Sequence, residues 1–126
     1  MFSFNHFNFN VLDLERSLRF YEEAFGLKPV REKLASDGSF KLVFLGDGVT
    51  DFRLELTYMT DRTEPYDLGE QEFHLAFVAD DMENAHALHE KMGCICMDNP
   101  NMGVYFVTDP DGYWIEVVPA KGGTKQ

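Results

Sequence analysis

The chain of 126 residues is short of cysteine, of tryptophan and of positive charge. Its two cysteines, Cys94 and Cys96, form a lone Cys-x-Cys. Alternate residues of a strand share a face but sit too far apart for an easy disulfide. The two therefore read as reduced packing thiols, not as a disulfide framework or a redox pair. Lysine and arginine number 11 against 22 aspartates and glutamates, a formal net charge of -11. That imbalance excludes an ordinary nucleic-acid binder, because phosphate backbones are met by basic stripes. An anionic small molecule would need a local cation or a metal to overcome the same field. No apolar run approaches the ~18 residues of a membrane span, and no signal-peptide pattern opens the chain. No membrane partner is expected, and the expected location is cytoplasmic.

What the chain has is apolar and aromatic bulk: 44% hydrophobic and 14% aromatic residues, with 12 phenylalanines. This is enough for a folded core within one domain, residues 1–126. The pattern reads as two copies of one βαβββ plan, an α+β fold. In the first module, about residues 2–58, Phe2 to Val11 alternates as a strand. Leu14, Leu18, Tyr21 and Phe25 then make a helical stripe over Leu12 to Phe25. Asp13 suits the helix N-cap and Gly26 its C-terminal stop. Leu27 to Leu34, Phe40 to Leu45 and Asp51 to Tyr58 follow as strands. The second module, about 72–119, gives a strand from Glu72 to Val78 and a helix from Asp81 to Met92, stopped by Gly93. Strands follow over Cys94 to Met97, Gly103 to Thr108 and Tyr113 to Val118. Asp109-Pro110-Asp111-Gly112 is a hairpin turn. Residues 59–71 read as a joining surface loop, and Ala120 to Gln126 as a frayed tail.

Four residues stand on the polar side of these strands. His6 opposes Phe7, Phe9 and Val11; Glu55 opposes Phe52, Leu54 and Leu56. His74 opposes Phe73, Leu75 and Phe77; Glu116 opposes Ile115 and Val117. Side chains alternate along a strand, so the apolar faces pack under the helices and the four polar groups point away from them. If the sheets curl, that side is concave. A lone strand histidine is usually a hydrogen-bonded structural residue, and a lone glutamate is usually solvated. Two histidines and two glutamates at equivalent places in a duplicated plan instead suit a divalent metal. His86 and His89, in the second helix, read as helix-surface or boundary residues with no metal role.

The chain resembles the vicinal-oxygen-chelate superfamily, and within it the glyoxalase I (lactoylglutathione lyase) family. The resemblance lies in Asp109-Pro110-Asp111-Gly112-Tyr113-Trp114-Ile115-Glu116-Val117 and Leu54-Glu55-Leu56-Thr57-Tyr58. Asn5-His6, Phe73-His74 and the helix Asp13-Leu14-Glu15-Arg16-Ser17-Leu18-Arg19-Phe20-Tyr21 share it. It implies paired βαβββ modules forming a curled mixed sheet with helices outside, usually as a homodimer. It implies a divalent metal on His6, Glu55, His74 and Glu116. The absence of long insertions favours Ni2+ or Co2+, while the ligands also suit Zn2+. The implied reaction detoxifies methylglyoxal: its hemithioacetal with glutathione is isomerised to S-lactoylglutathione through a metal-bound enediolate. Glu116 is implied as the main base and Glu55 as the second catalytic carboxylate.

Several positions depart from the family. Where it commonly carries an arginine for glutathione, four residues after the first histidine, this chain has Asn10. Met59 replaces a family asparagine, and Asn99-Pro100-Asn101-Met102 replaces basic residues. A neutral side chain cannot reproduce a bidentate Arg–carboxylate contact, so Arg53, Arg62 and Lys41 become candidates for that role. A different thiol or substrate stays open, as do a superfamily dioxygenase, an epimerase, a thiol transferase and a metal-free binding module.

Overall fold

In the computed structural model residues 1–120 are described. The elements are β1 (His6–Val11), α1 (Leu14–Phe25), β2 (Lys28–Leu34), β3 (Phe40–Gly46) and β4 (Arg53–Met59), then β5 (Leu75–Ala79), α2 (Met82–Met92), β6 (Ile95–Asn99), β7 (Val104–Thr108) and β8 (Trp114–Pro119). They fall into two compact units, one spanning Met1–Asp67 and the other beginning at Leu68. Each unit is βαβββ with one mixed four-stranded sheet, ordered β1-β4-β3-β2 in the first and β5-β8-β7-β6 in the second. The expected α+β fold is thus observed, and the strand carrying each glutamate is interior to its sheet. The expectation of a frayed tail falls, beyond Ala120, outside the described residues.

In the first unit, alternation sets the core. Phe9, Val11, Val43, Leu45, Leu54 and Leu56 are all at most 3% exposed. Burying each such side chain contributes roughly 1.5–3 kcal/mol. Helix α1 adds Leu14, Ser17, Tyr21 and Ala24 from one stripe. Asp13 caps it, its carboxylate accepting from the Arg16 N–H at 3.1 Å. Gly26 ends it in the left-handed region at φ 69°. In the second unit Asp81 accepts from the Asn84 N–H at 3.0 Å, and Gly93 ends α2 at φ 73°.

Three strands start two or more residues later than their alternation suggests; β4 begins at Arg53, not Asp51. β1 begins at His6, not Phe2, because its ladder partner β4 begins opposite it, at Arg53. β5 begins at Leu75, not Glu72. His74 is therefore the residue entering β5.

Both edge strands β2 and β6 carry an extra residue. Pro29 pairs with Leu45 and Arg31 with Phe44, which leaves Val30 unpartnered. Ile95 pairs with Val107 and Met97 with Phe106, which leaves Cys96 unpartnered. A bulge of this kind re-aims every side chain beyond it. Gly46 makes room for the first: a Cβ there would lie 3.0 Å from Val30 Cγ1.

Candidate metal centre

In the first unit His6 and Glu55 meet on one face. His6 Nε2 lies 3.6 Å from Glu55 Oε1. The other ring nitrogen, Nδ1, is 2.6 Å from Asn5 Oδ1. An amide oxygen only accepts, so the ring proton resides on Nδ1. That leaves Nε2 facing the carboxylate, and the bond to Asn5 fixes the ring as partners of metal-bound histidines do. Phe44, paired with Glu55 across β3 and β4, meets the His6 ring edge-on at 5.7 Å. Asn8, paired with Glu55 from β1, brings its amide nitrogen 3.2 Å from Glu55 Oε1 in the orientation that satisfies its neighbours. Asn8 was given no role from the sequence; its spacing of two from His6, which puts both on one strand face, was the available signal.

The second unit repeats the plan. His74 Nε2 lies 3.2 Å from Glu116 Oε1. Phe106, paired with Glu116, meets the His74 ring edge-on at 5.1 Å. Sequence reading missed what secures β8. Gln71 lies in the expected surface loop, yet its side chain donates to the Gly112 carbonyl at 2.9 Å. It also accepts from the Trp114 N–H at 2.9 Å. At the neighbouring turn, Asp109 accepts from the N–H groups of Asp111 and Tyr113, each at 2.9 Å. These bonds fix the strand start two residues ahead of Glu116.

The carboxylates are sheltered, 14% exposed at Glu55 and 21% at Glu116, while the imidazoles are about two-fifths exposed. Among the described residues no three His, Cys, Asp or Glu are gathered as one metal cluster. Each unit instead presents one histidine–glutamate pair. Each pair offers one nitrogen and one oxygen donor, a set that borderline divalent cations accept, and the fixed Nδ1 proton of His6 suits ligation through Nε2. By donor chemistry the residues fit such an ion.

The cations considered for an anionic substrate are engaged elsewhere. Arg53 donates to the carbonyls of Thr50 and Phe52. Arg62 donates to those of Glu64 and Pro65 and stacks on Tyr66. Lys41 pairs with Glu32 at 3.2 Å. His89 corrects the sequence reading: it is 2% exposed, with Nδ1 2.7 Å from the Tyr105 hydroxyl. The helical period turns His89 inward, while His86 pairs with Asp98 at 2.9 Å. The thiols are unbonded to each other, with Cys94 half-buried and Cys96 exposed.

Residues 3–117 match the Glyoxalase/Bleomycin resistance protein/Dioxygenase superfamily, and the chain belongs to that family. It is 39% identical to a lactoylglutathione lyase of Neisseria meningitidis, over 94% of this chain and 91% of that one. It is 33% identical to a lactoylglutathione lyase of Oryza sativa, over 90% of this chain but 42% of that protein. Among solved structures, the trypanothione-dependent glyoxalase I of Leishmania major matches with a TM-score of 0.84 at 32% identity, covering 94% of this chain and 87% of that one. The expected superfamily, and within it a glyoxalase I-type enzyme, is borne out by these relatives. No helix among the described residues is long and apolar enough to cross a membrane.

Proposed function

We propose that the chain isomerises the hemithioacetal of methylglyoxal and glutathione to S-lactoylglutathione, with His6, Glu55, His74 and Glu116 holding one divalent ion. In this reading the single domain gives one histidine and one glutamate from each unit, and the two units that meet on the ion come from one chain or from two copies of it. The observation that carries it is the duplicated pair: an imidazole Nε2 facing a carboxylate oxygen at 3.6 Å in one unit and 3.2 Å in the other, each flanked edge-on by a phenylalanine. Ni2+ or Co2+ is the proposed activator, with Zn2+ compatible with the same donors. A bound divalent ion supplies Lewis-acid polarisation of the substrate oxygens.

The chain's own residues carry the proton. Glu116 takes it from the carbon bearing sulfur and returns one to the neighbouring carbon, so no net oxidation occurs. Its place on an interior strand, fixed by Gln71 and the Asp109 turn, keeps the carboxylate within reach through both transfers. Glu55 serves as the second carboxylate, aligned by Asn8. Phe44 and Phe106 each cover one side of an imidazole, and the shelter strengthens local electrostatics. The working form is proposed to be a cytoplasmic homodimer, with a mass of twice the 14.5 kDa chain.

A second reading keeps the chemistry and changes the thiol. Asn10 and Met59 support it, as does the trypanothione dependence of the Leishmania relative. The deciding experiment is thioester formation from methylglyoxal with glutathione, using stripped protein reloaded with Ni2+, Co2+ or Zn2+. Activity is expected with Ni2+ and Co2+. Stoichiometric metal binding without turnover of glutathione, but with turnover of another thiol, would favour the second reading.

A further inference from the structure

We infer that Arg31 is the specificity-determining cation of this site, anchoring a carboxylate of the thiol half of the substrate. The inference rests on the proposed isomerase reading and adds the residue that recognises the thiol's anionic arm. It starts from the bulge. Were β2 regular, Val30 would stand opposite Phe44, and Arg31 would turn to the core face beside Val43. The unpartnered Val30 shifts the ladder by one, so Arg31 pairs with Phe44, which in turn pairs with Glu55. Cross-strand partners share a face, so Arg31, Phe44 and Glu55 lie in one row on the ligand-bearing face of the sheet.

The Arg31 guanidinium sits over the Phe44 ring, 5.2 Å from its centroid. That same ring meets His6 edge-on at 5.7 Å. Stacking restrains the planar fork and leaves its N–H donors open, which suits bidentate capture of a carboxylate. Among the described residues this ring is its one partner, whereas Arg53, Arg62 and Lys41 are held by carbonyls or by Glu32. In a chain of net charge -11, an exposed, uncompensated cation beside the site is the feature an anionic substrate requires.

The span also fits. Arg31 stands two strands from Glu55, about 10 Å at the ordinary strand spacing. Two to three extended residues reach roughly 7–11 Å, the scale of a short peptide thiol whose sulfur reacts near Glu55 and whose terminal carboxylate lies beyond. The second unit sharpens the assignment. Its equivalent bulge brings Met97, not a cation, opposite Phe106, so the charge belongs to one half of the repeat.

The test measures binding of S-hexylglutathione, and of its dimethyl ester, to metal-loaded protein by calorimetry. Arg31→Gln is expected to weaken S-hexylglutathione at least 10-fold and the ester less than 2-fold, with Arg31→Lys intermediate. Lys33→Gln removes the same charge two residues along the exposed edge strand and is expected to change binding less than 3-fold. In turnover, Arg31→Gln raises KM for the glutathione hemithioacetal and leaves kcat within about 3-fold. Equal weakening of acid and ester, no weakening, equal effects at Arg31 and Lys33, or no binding by the unaltered protein would each overturn the assignment. Arg31-dependent binding without isomerase turnover would instead overturn the reaction and keep the anchor.

Discussion

Tyr105 shows how much one buried hydroxyl decides in α2 packing. It is 2% exposed, and burial, reinforced by Cys94 and Asp98, holds its phenol well above the usual tyrosine range. Its folded pKa exceeds its unfolded one, so the associated stability is fully present below about pH 10 and falls as pH rises beyond it. Tyr105→Phe strips the His89 ring of the hydroxyl at 2.7 Å. The expected cost is about 1–3 kcal/mol, with a shallower loss of stability above pH 10, both read by denaturant unfolding across pH. At the site, Glu116→Gln is expected to lower kcat about 10²- to 10⁴-fold, measured at saturating metal. The four candidate ligands were legible because polar residues on an otherwise apolar alternation stand out. His89 was not: a histidine at helical spacing gives no sign of which face it occupies until Tyr105 arrives from 16 residues away.

Elements were read most reliably where local chemistry acts alone. Both helix starts obey a side chain within the first turn, and both stops obey a glycine. Gly26 is at φ 69° with nothing within 4 Å of an added Cβ, so Gly26→Ala meets only backbone strain. We expect a loss of about 1–2 kcal/mol, seen as a lower thermal midpoint with activity per folded molecule unchanged. Strand starts were read poorly at β1, β4 and β5, because a strand begins where a partner begins, and alternation carries no knowledge of the partner. The bulges were invisible for the same reason: Val30 and Cys96 are ordinary strand residues, and only the ladder shows that each is one too many. The sequence therefore named Arg53, Arg62 and Lys41 as candidate anchors and passed over Arg31.

For the whole molecule, charge governs encounter. A net charge of -11 repels an anionic thiol conjugate over distances that salt screens. Raising ionic strength from about 10 mM to 150 mM shortens the screening length from about 30 Å to 8 Å. The value of kcat/KM for the glutathione hemithioacetal should then rise several-fold, while that for a neutral thiol stays flat; stopped-flow and steady-state rates check this. The repeat itself was legible in the sequence, where His6-x-x-Phe9 matches His74-x-x-Phe77 and Asp13-x-Glu15 matches Asp81-x-Glu83. Which histidine–glutamate pairs meet was not, since a one-dimensional pattern records which residues recur and says nothing of which copy they meet. Proposed sharing gives one divalent ion per chain, to be measured by native mass spectrometry; chelation is expected to abolish turnover and reloading to restore it.

Single-residue deletion within a strand ordinarily reverses the facing of everything downstream. Val30 is an exception in this chain, because no residue of β3 opposes it. Removing it would straighten β2 while Pro29 kept Leu45 and Arg31 kept Phe44. Cys96 offers the same tolerance in β6, between the pairs Ile95–Val107 and Met97–Phe106. Length variation in this fold therefore has two natural homes inside strands, not only in loops, and shortened variants at these points should still fold.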